Sequence, residues 1–355
     1  MQLNRWFIAS IPALGAIVWA LSAGAAGPAA TLRDAAAGRG IAIGTAVTVS
    51  NLGEEQFSAV LAREFNQVEP ENEMKWGYLR PARDQFRFEA GDRLVEFASA
   101  HGMKVRGHCL VWRANNPRWL TGGGFQPAEL RALLSVHIAT VARHFAGRVY
   151  AWDVVNEAFE SNGAVRDAQW YNKPGIGLPG KYAYIEEAFR LAHEADPKAL
   201  LFYNDYDTEV ANPKSDAIYA MVQDFKQRGV PIHGVGFQCH LEQQGVDREL
   251  FTANLKRFAD LGVQVQITEL DVRLPLPPGA GPTPEQLAAQ AAVYRDVAAA
   301  CLAVRACSAI QTWGFTDRYS WIPAFFKNTG AALPFDADYQ HKPAWDALQG
   351  ALETR

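Results

Sequence analysis

The sequence predicts a single α/β domain folded as a (β/α)8 TIM barrel. Three observations predict it. Eight short apolar runs alternate with stretches of amphipathic helical spacing along the chain. Polar and aromatic residues gather at the carboxyl ends of seven of those runs, the end where barrels of this type carry their chemistry. No glycine-rich dinucleotide fingerprint follows the first run, which argues against the alternative of an open doubly wound sheet.

The elements follow in chain order. Arg5 precedes an apolar run over residues 6–21, and the small residues Ser22, Ala23, Gly24, Ala25 and Ala26 come next. That is the order of a secretory signal peptide, expected over residues 1–26. The run falls short of the roughly 20 residues of a membrane span, so a retained anchor is the weaker alternative. Cleavage would leave residues 27–355 as the barrel domain, secreted or periplasmic and free of the membrane. Strands are expected over residues 40–47, 65–69, 104–112, 149–156, 199–205, 232–240, 263–269 and 308–314. Helical spacing is clearest over residues 127–145, 181–194, 213–228, 248–261 and 284–300. Pro127, Pro213 and Pro284 each sit near a helix start, where a missing N–H costs little. The Pro/Gly-rich residues 274–284 read as a loop above the barrel. No linker or internal repeat divides the chain, and a monomer is expected.

The net charge of −4 is spread along the chain, which argues against nucleic acid as a partner and leaves a neutral polymer open. Four cysteines are present. Cys301 and Cys307 are close enough in an exported chain to form a disulfide, worth about 2 kcal/mol in the chain-entropy model. Cys109 and Cys239 adjoin His108 and His240, which raises a zinc site as an alternative. Neighbours on a strand face opposite ways, so two buried thiols are the better reading, with no metal and no cofactor.

Two carboxylates define the chemistry. Glu157 ends Trp-Asp-Val-Val-Asn-Glu (152–157), and Glu269 lies in Val-Gln-Ile-Thr-Glu-Leu-Asp-Val (265–272). At the carboxyl ends of two strands of one sheet they can flank a glycosidic bond, whose hydrolysis needs a proton donor and a nucleophile or base. Other strand ends add Glu71, Asn72, Lys75 and Trp76; His108 and Trp112; Asn204, Asp205 and Tyr206; Gln238 and His240; Trp313, Asp317 and Trp321. Period-two geometry puts Gln238 with His240 and Glu269 with Asp271. A His240 held between Asp271 and Glu269 would have its tautomer fixed and would tune Glu269. Asn156 and Glu157 are adjacent, so both reach one site only if the strand bends or bulges there.

These residues carry a family resemblance. Phe65-Asn66, Glu71-Asn72-Glu73-Met74-Lys75-Trp76, Gly107-His108, Leu110-Val111-Trp112, Trp152 through Ala158, Tyr203-Asn204-Asp205-Tyr206, Gly234 through Gln238 with His240, Ile267 through Asp271, and Trp313-Gly314 with Asp317, Ser320 and Trp321 stand in order along the mature chain. The set closely resembles the endo-β-1,4-xylanases of glycoside hydrolase family 10. The resemblance implies a barrel acting on xylan and xylo-oligosaccharides by retaining double displacement, with Glu157 as acid/base and Glu269 as nucleophile. It implies that Glu71, Asn72, Lys75, His108, Trp112, Gln238, Trp313 and Trp321 line glycone-side sugar subsites, and that Cys301 pairs with Cys307. In that mechanism Glu269 stays ionised with help from Asn156 and His240, and the charge of Glu269 helps keep Glu157 protonated. One departure is Arg113, where most members have histidine, followed by Ala114-Asn115-Asn116-Pro117. The rivals are a β-glycanase for cellulose or mixed-linkage glucan, a carbohydrate-binding barrel without turnover, and a zinc hydrolase.

Overall fold

The structure, a computed structural model, describes residues 31–354; the leader expected over residues 1–26 lies outside them. The described residues form ten strands: β1 (Ala42–Val47), β2 (Gln67–Pro70), β3 (Lys104–Trp112), β4 (Ala151–Asn156), β5 (Leu200–Asp205), β6 (Gly234–Phe237), β7 (His240–Glu242), β8 (Gln264–Pro275), β9 (Cys307–Thr312) and β10 (Thr329–Gly330). Strands β1 to β6, β8 and β9 pair parallel in that order, and β9 returns to pair with β1. The sheet is therefore a closed eight-stranded parallel barrel, as expected.

Each barrel strand is followed by a helix that crosses back outside: Glu55–Glu64, Glu89–Ala100, Pro127–His144, Ala183–Ala195, Pro213–Gln227, Arg248–Ala259, Pro284–Leu302 and Pro343–Glu353. Pro127, Pro213 and Pro284 each open their helix. Asn212 and Thr283 cap two of these starts by accepting the backbone N–H of Ser215 and Gln286.

Two layers fill the molecule. Ile43, Val68, Val105, Ile267 and Ile310 belong to the apolar core beneath the helices. Gln67, Glu69, Arg106, Gln266, Thr268 and Gln311 alternate with them, face the lumen and are polar. Tyr150 Oη donates to Gln67 Oε1 (2.6 Å), Gln67 Nε2 to Gln311 Oε1 (2.6 Å), and Arg106 Nη1 to Gln266 Oε1 (2.5 Å). Gln67, Arg106, Gln266 and Gln311 are buried, so each of these polar groups needs such a partner.

Two strands differ from expectation. The sixth breaks after Phe237, because Cys239 adopts a left-handed backbone (φ +61°), and resumes as β7 against β8. Strand β8 runs on to Pro275 because β7 and the antiparallel β10 give its second half partners, so Leu274 and Pro275 are strand and not loop. Among the described residues no helix is long and apolar enough to cross a membrane.

Candidate active site

The local backbone explains how neighbouring residues reach one place. Strand β4 stops at Asn156, and Glu157 takes a left-handed conformation (φ +56°) that L-residues adopt rarely. The register against β5 also slips between Asp153 and Val155. The expected bend is thus present, and both side chains enter the same space. The conformation is held by three bonds: Glu157 N–H to Asn204 O (2.9 Å), Ala158 N–H to Tyr203 Oη (2.8 Å), and Tyr203 Oη to Asp205 Oδ2 (2.5 Å). Cys239 performs the same re-aiming between Gln238 and His240, while Glu269 N–H bonds Gln238 O (3.0 Å).

Glu269 is 4% exposed, and each of its oxygens accepts a hydrogen bond. Its Oε1 accepts from Asn204 Nδ2 (2.7 Å) and its Oε2 from His240 Nε2 (3.1 Å). The expected donor Asn156 does not fill this role. Asn204 does, because β5 stands one strand nearer to β8 than β4 does. His240 Nδ1 bonds Asp271 Oδ2 (2.9 Å), which also accepts Trp321 Nε1 (2.8 Å). Burial disfavours the charged form of His240, but the charge and hydrogen bonds of Asp271 and Glu269 outweigh it and raise its pKa to about 10. His240 is therefore an imidazolium donating from both nitrogens, not a single fixed tautomer. Burial pushes the Glu269 carboxyl up, yet the His240 hydrogen bond and the His108 and His240 charges more than reverse this, leaving it below its ordinary value.

Glu157 is held differently. Its Oε2 accepts from Trp112 Nε1 (2.9 Å), and its Oε1 lies 3.3 Å from Gln238 Nε2 and 3.4 Å from Asn156 Nδ2. Arg113 Nη2 is 3.6 Å from Oε2, an ion-pair distance without a hydrogen bond. Side-chain amides connect the two carboxylates. Gln238 Nε2 and Asn204 Nδ2 both approach Asn156 Oδ1, at 3.2 and 3.0 Å, while reaching Glu157 and Glu269 respectively. Gly236 makes room for this arrangement, since a Cβ there would stand 2.2 Å from Asn204 Oδ1.

The remaining expected residues surround this pair. Lys75 Nζ lies over the rings of Trp112 (5.0 Å) and Trp313 (5.5 Å) and 3.4 Å from Asn72 Oδ1. Glu71 accepts Thr48 Oγ1 (2.9 Å); burial raises its pKa against the pull of Thr48 and Lys75. Trp313 packs edge-on to His108 (5.3 Å) and His240 (6.3 Å), and Trp321 to His240 (5.0 Å). His108 is 2% exposed, its Nδ1 bonded to Asp153 Oδ2 (3.0 Å), so at most one edge of its ring faces the cleft.

Beneath the site lies a buried charge cluster that the expectations did not include. Arg106 pairs with Asp153 and lies 3.7 Å from Glu69; His108 Nδ1 lies 3.2 Å from Glu69 Oε1. Burial raises the Asp153 carboxyl, but Arg106 and His108 bring it below its ordinary value; burial and Asp153 push Glu69 well up. Among the described residues, Glu69, His108 and Asp153 form the group with metal-like spacing. It includes neither free cysteine, and Arg106 already supplies its positive charge. Cys109 and Cys239 are buried free thiols, and Cys301 is disulfide-bonded to Cys307 at the amino end of β9, opposite the cleft.

The structure thus brings together Glu157, Glu269, Asn156, His240, Asp271, Lys75, Asn72, His108, Trp112, Gln238, Trp313 and Trp321, with Glu71 beside them. Sequence reasoning missed the roles of Asn204, Asp153 and Arg113. Each stood next to or inside a motif already singled out.

The whole described barrel matches known proteins. Residues 31–351 match the model of "Glycosyl hydrolase family 10". The chain is similar to endo-1,4-beta-xylanase B of Thermotoga neapolitana (45% identical over 301 residues, 85% of this chain and 84% of that one). It is also similar to endo-1,4-beta-xylanase A of Phanerodontia chrysosporium (38%, covering 92% and 78%). Among solved structures, xylanase 10B of Thermotoga petrophila RKU-1 in complex with xylobiose superposes with a TM-score of 0.88 at 43% identity, covering 93% of this chain and 99% of that one. Native xylanase 10B of Thermotoga maritima gives 0.87 at 45%, covering 91% and 98%. Sequence, fold and site agree, and the chain belongs to glycosyl hydrolase family 10.

Proposed function

We propose that this glycoside hydrolase is an endo-β-1,4-xylanase that cleaves internal bonds of xylan and xylo-oligosaccharides with retention of anomeric configuration. The observation that carries the reading is the opposite treatment of two carboxyls joined by one amide bridge. Glu269 has an imidazolium and an amide on its two oxygens, while Glu157 has the neutral Trp112 indole and amides near it and a cation only at ion-pair distance. The names of the similar proteins, and the xylobiose bound to one of them, support xylose-based substrates.

In the first step ionised Glu269 attacks the anomeric carbon, the bond to the leaving oxygen breaks, and that oxygen takes the proton of Glu157. A glycosyl ester on Glu269 results. Glu157, now ionised, takes a proton from water, whose oxygen displaces Glu269 from the same face that the leaving group vacated. The sum is addition of one water, and two inversions give retention. Asn204 and His240 stabilise the carboxylate before attack and as it is released. Asn156 and Gln238 orient the Glu157 carboxyl, and Asp271 keeps His240 charged and aimed.

Trp112, Trp313 and Trp321 offer apolar faces for pyranose rings, and Lys75, Asn72, Glu71 and His108 offer polar groups for hydroxyls. The tryptophans crowd the space that a hexose hydroxymethyl would need, which favours xylose. Residues 1–26 act as an export signal, leaving residues 27–355 as a secreted or periplasmic catalytic domain; amino-terminal sequencing of the exported protein tests this. One digestion of branched xylan followed by anomer-resolved NMR tests the activity. Oligosaccharides whose new reducing ends appear first as the β-anomer are expected. An initial α-anomer overturns retention, and faster release from cellulose than from xylan overturns the substrate.

A further inference from the structure

The side chain of Arg113 is 41% exposed at the rim of the cleft. Among the described residues its charged neighbour within ion-pair distance is Glu157, at 3.6 Å, so its N–H donors remain available. The other arginine on this wall, Arg166, is already committed: its Nη2 donates to Phe159 O and Tyr206 Oη, and its Nη1 pairs with Glu160 at 3.1 Å.

The position of Arg113 relative to the reacting bond follows from the two oxygens of Glu157. Oε1 turns toward Gln238 and Asn156, which lead through Asn204 to Glu269. Oε2 turns the other way, toward Trp112 and Arg113. Arg113 and Glu157 share a small cleft with Arg166, Trp170 and Tyr184, apart from His240, Trp313 and Trp321, which stand around Glu269. A sugar with its anomeric carbon against Glu269 therefore sends its leaving group past Glu157 toward Arg113.

The protonation cycle then decides what Arg113 meets. The ion pair needs Glu157 ionised, its state in the second step. When substrate is bound for the first step, Glu157 carries the proton and the guanidinium loses its counter-charge. A partly exposed cation beside a polysaccharide track, uncompensated when substrate is present, selects an anionic group on that substrate. In a xylose-based chain that group is the carboxylate of a uronic-acid branch, which matches the planar fork of a guanidinium.

We propose that Arg113 is a specificity residue that receives the carboxylate of a uronic-acid branch on the leaving-group side of the scissile bond. The inference rests on the xylanase reading above. Once the leaving group departs with its branch, Arg113 is released to pair with the newly ionised Glu157.

The test compares kcat/KM of the full enzyme on a uronate-branched xylo-oligosaccharide and on the same compound with its carboxyl reduced to a hydroxymethyl group. The wild type is expected to prefer the uronate form by about 5-fold at low salt, in keeping with a partly exposed ion pair. The preference falls toward unity at about 0.5 M NaCl, where exposed charges are screened. Arg113→Gln abolishes it and Arg113→Lys keeps part of it. Equal rates for the two compounds with the wild type, or an Arg113→Gln variant that slows both by one common factor, overturn the proposal. The second result would make Arg113 only a positioning residue for Glu157. Linear unbranched xylan is run beside them. Failure to cleave it overturns the xylanase reading itself, whereas cleavage of it without a uronate preference overturns the Arg113 assignment alone.

Discussion

Asn204 holds Glu269 from two strands away: its Nδ2 lies 2.7 Å from Glu269 Oε1 and, at 3.0 Å, also meets Asn156 Oδ1. Thr268 Oγ1 donates to the other end of the amide at 2.7 Å, so the group cannot turn over. Asn204→Ala removes one of two donors to a buried carboxylate and is expected to lower kcat/KM by about 10- to 100-fold, the range for a hydrogen bond to a charged group. Gly236→Ala, whose methyl would collide with this amide, should lower it in the same sense. Steady-state kinetics on xylohexaose, with circular dichroism to show folding, checks both.

The proposed division of labour separates two variants. Glu269→Ala should be inactive on every substrate and partly rescued by azide, which can occupy the place of the lost carboxylate. Glu157→Ala should keep the first step for nitrophenyl glycosides, whose leaving group needs no proton, and show a burst because the second step has lost its base. Equal losses on all substrates for both variants would refute the assignment.

On the proposed mechanism the acid limb of activity follows Glu269, whose pKa lies below its ordinary value because the imidazolium of His240 donates to it against the cost of burial. A group lowered in this way stays ionised further into acid, so activity persists below the usual carboxylate range. His240→Gln removes the cation and should move that limb to higher pH, read from log kcat/KM against pH. A limb that stays where it was would show that another group sets it.

The same histidine links stability to pH. Its pKa is about 10 in the fold against about 6.5 when free. A raised value contributes stability that is complete below the free value and is lost as pH rises through the folded one. Asp271→Asn removes the charge that does most to hold His240 protonated. Its melting temperature should therefore trail the wild type most at about pH 6 and approach it near pH 10, as thermal scans at several pH values would record.

The Cys301–Cys307 disulfide closes a short loop far from the cleft. Replacing both cysteines by serine is expected to cost about 2 kcal/mol of stability in urea titrations while leaving kcat within about 2-fold.

Much of this was legible in the sequence because the barrel repeats one unit. Runs such as Val263 through Glu269 declared strands, and proline marked three helix starts. Period two gave the facing of Glu269 and Asp271 correctly, since both reach His240. It gave facing but not reach. Asn156 and Asn204 lie at the carboxyl ends of adjacent strands, at or one residue before the last position, and only packing around the lumen decides which amide meets Glu269. Backbone reversals were the second blind spot. Residues such as Glu157 and Cys239, which adopt positive φ without being glycine, leave no mark in a hydrophobic pattern. Arg113 was noticed only as an oddity of its loop, because nothing local announces that Glu157 will curl back to it.

The polar lumen has a consequence for any attempt to redesign the barrel. Arg106 answers to Asp153, Glu69 and Gln266 together. Exchanging it for methionine would strand two carboxyls in a space that water does not reach, directly under the cleft floor. Aliphatic replacements there succeed only as a coordinated set spanning β2, β3, β4 and β8. The scaffold tolerates drift on its outer helices far more readily than at its axis, where an isolated change has no silent option.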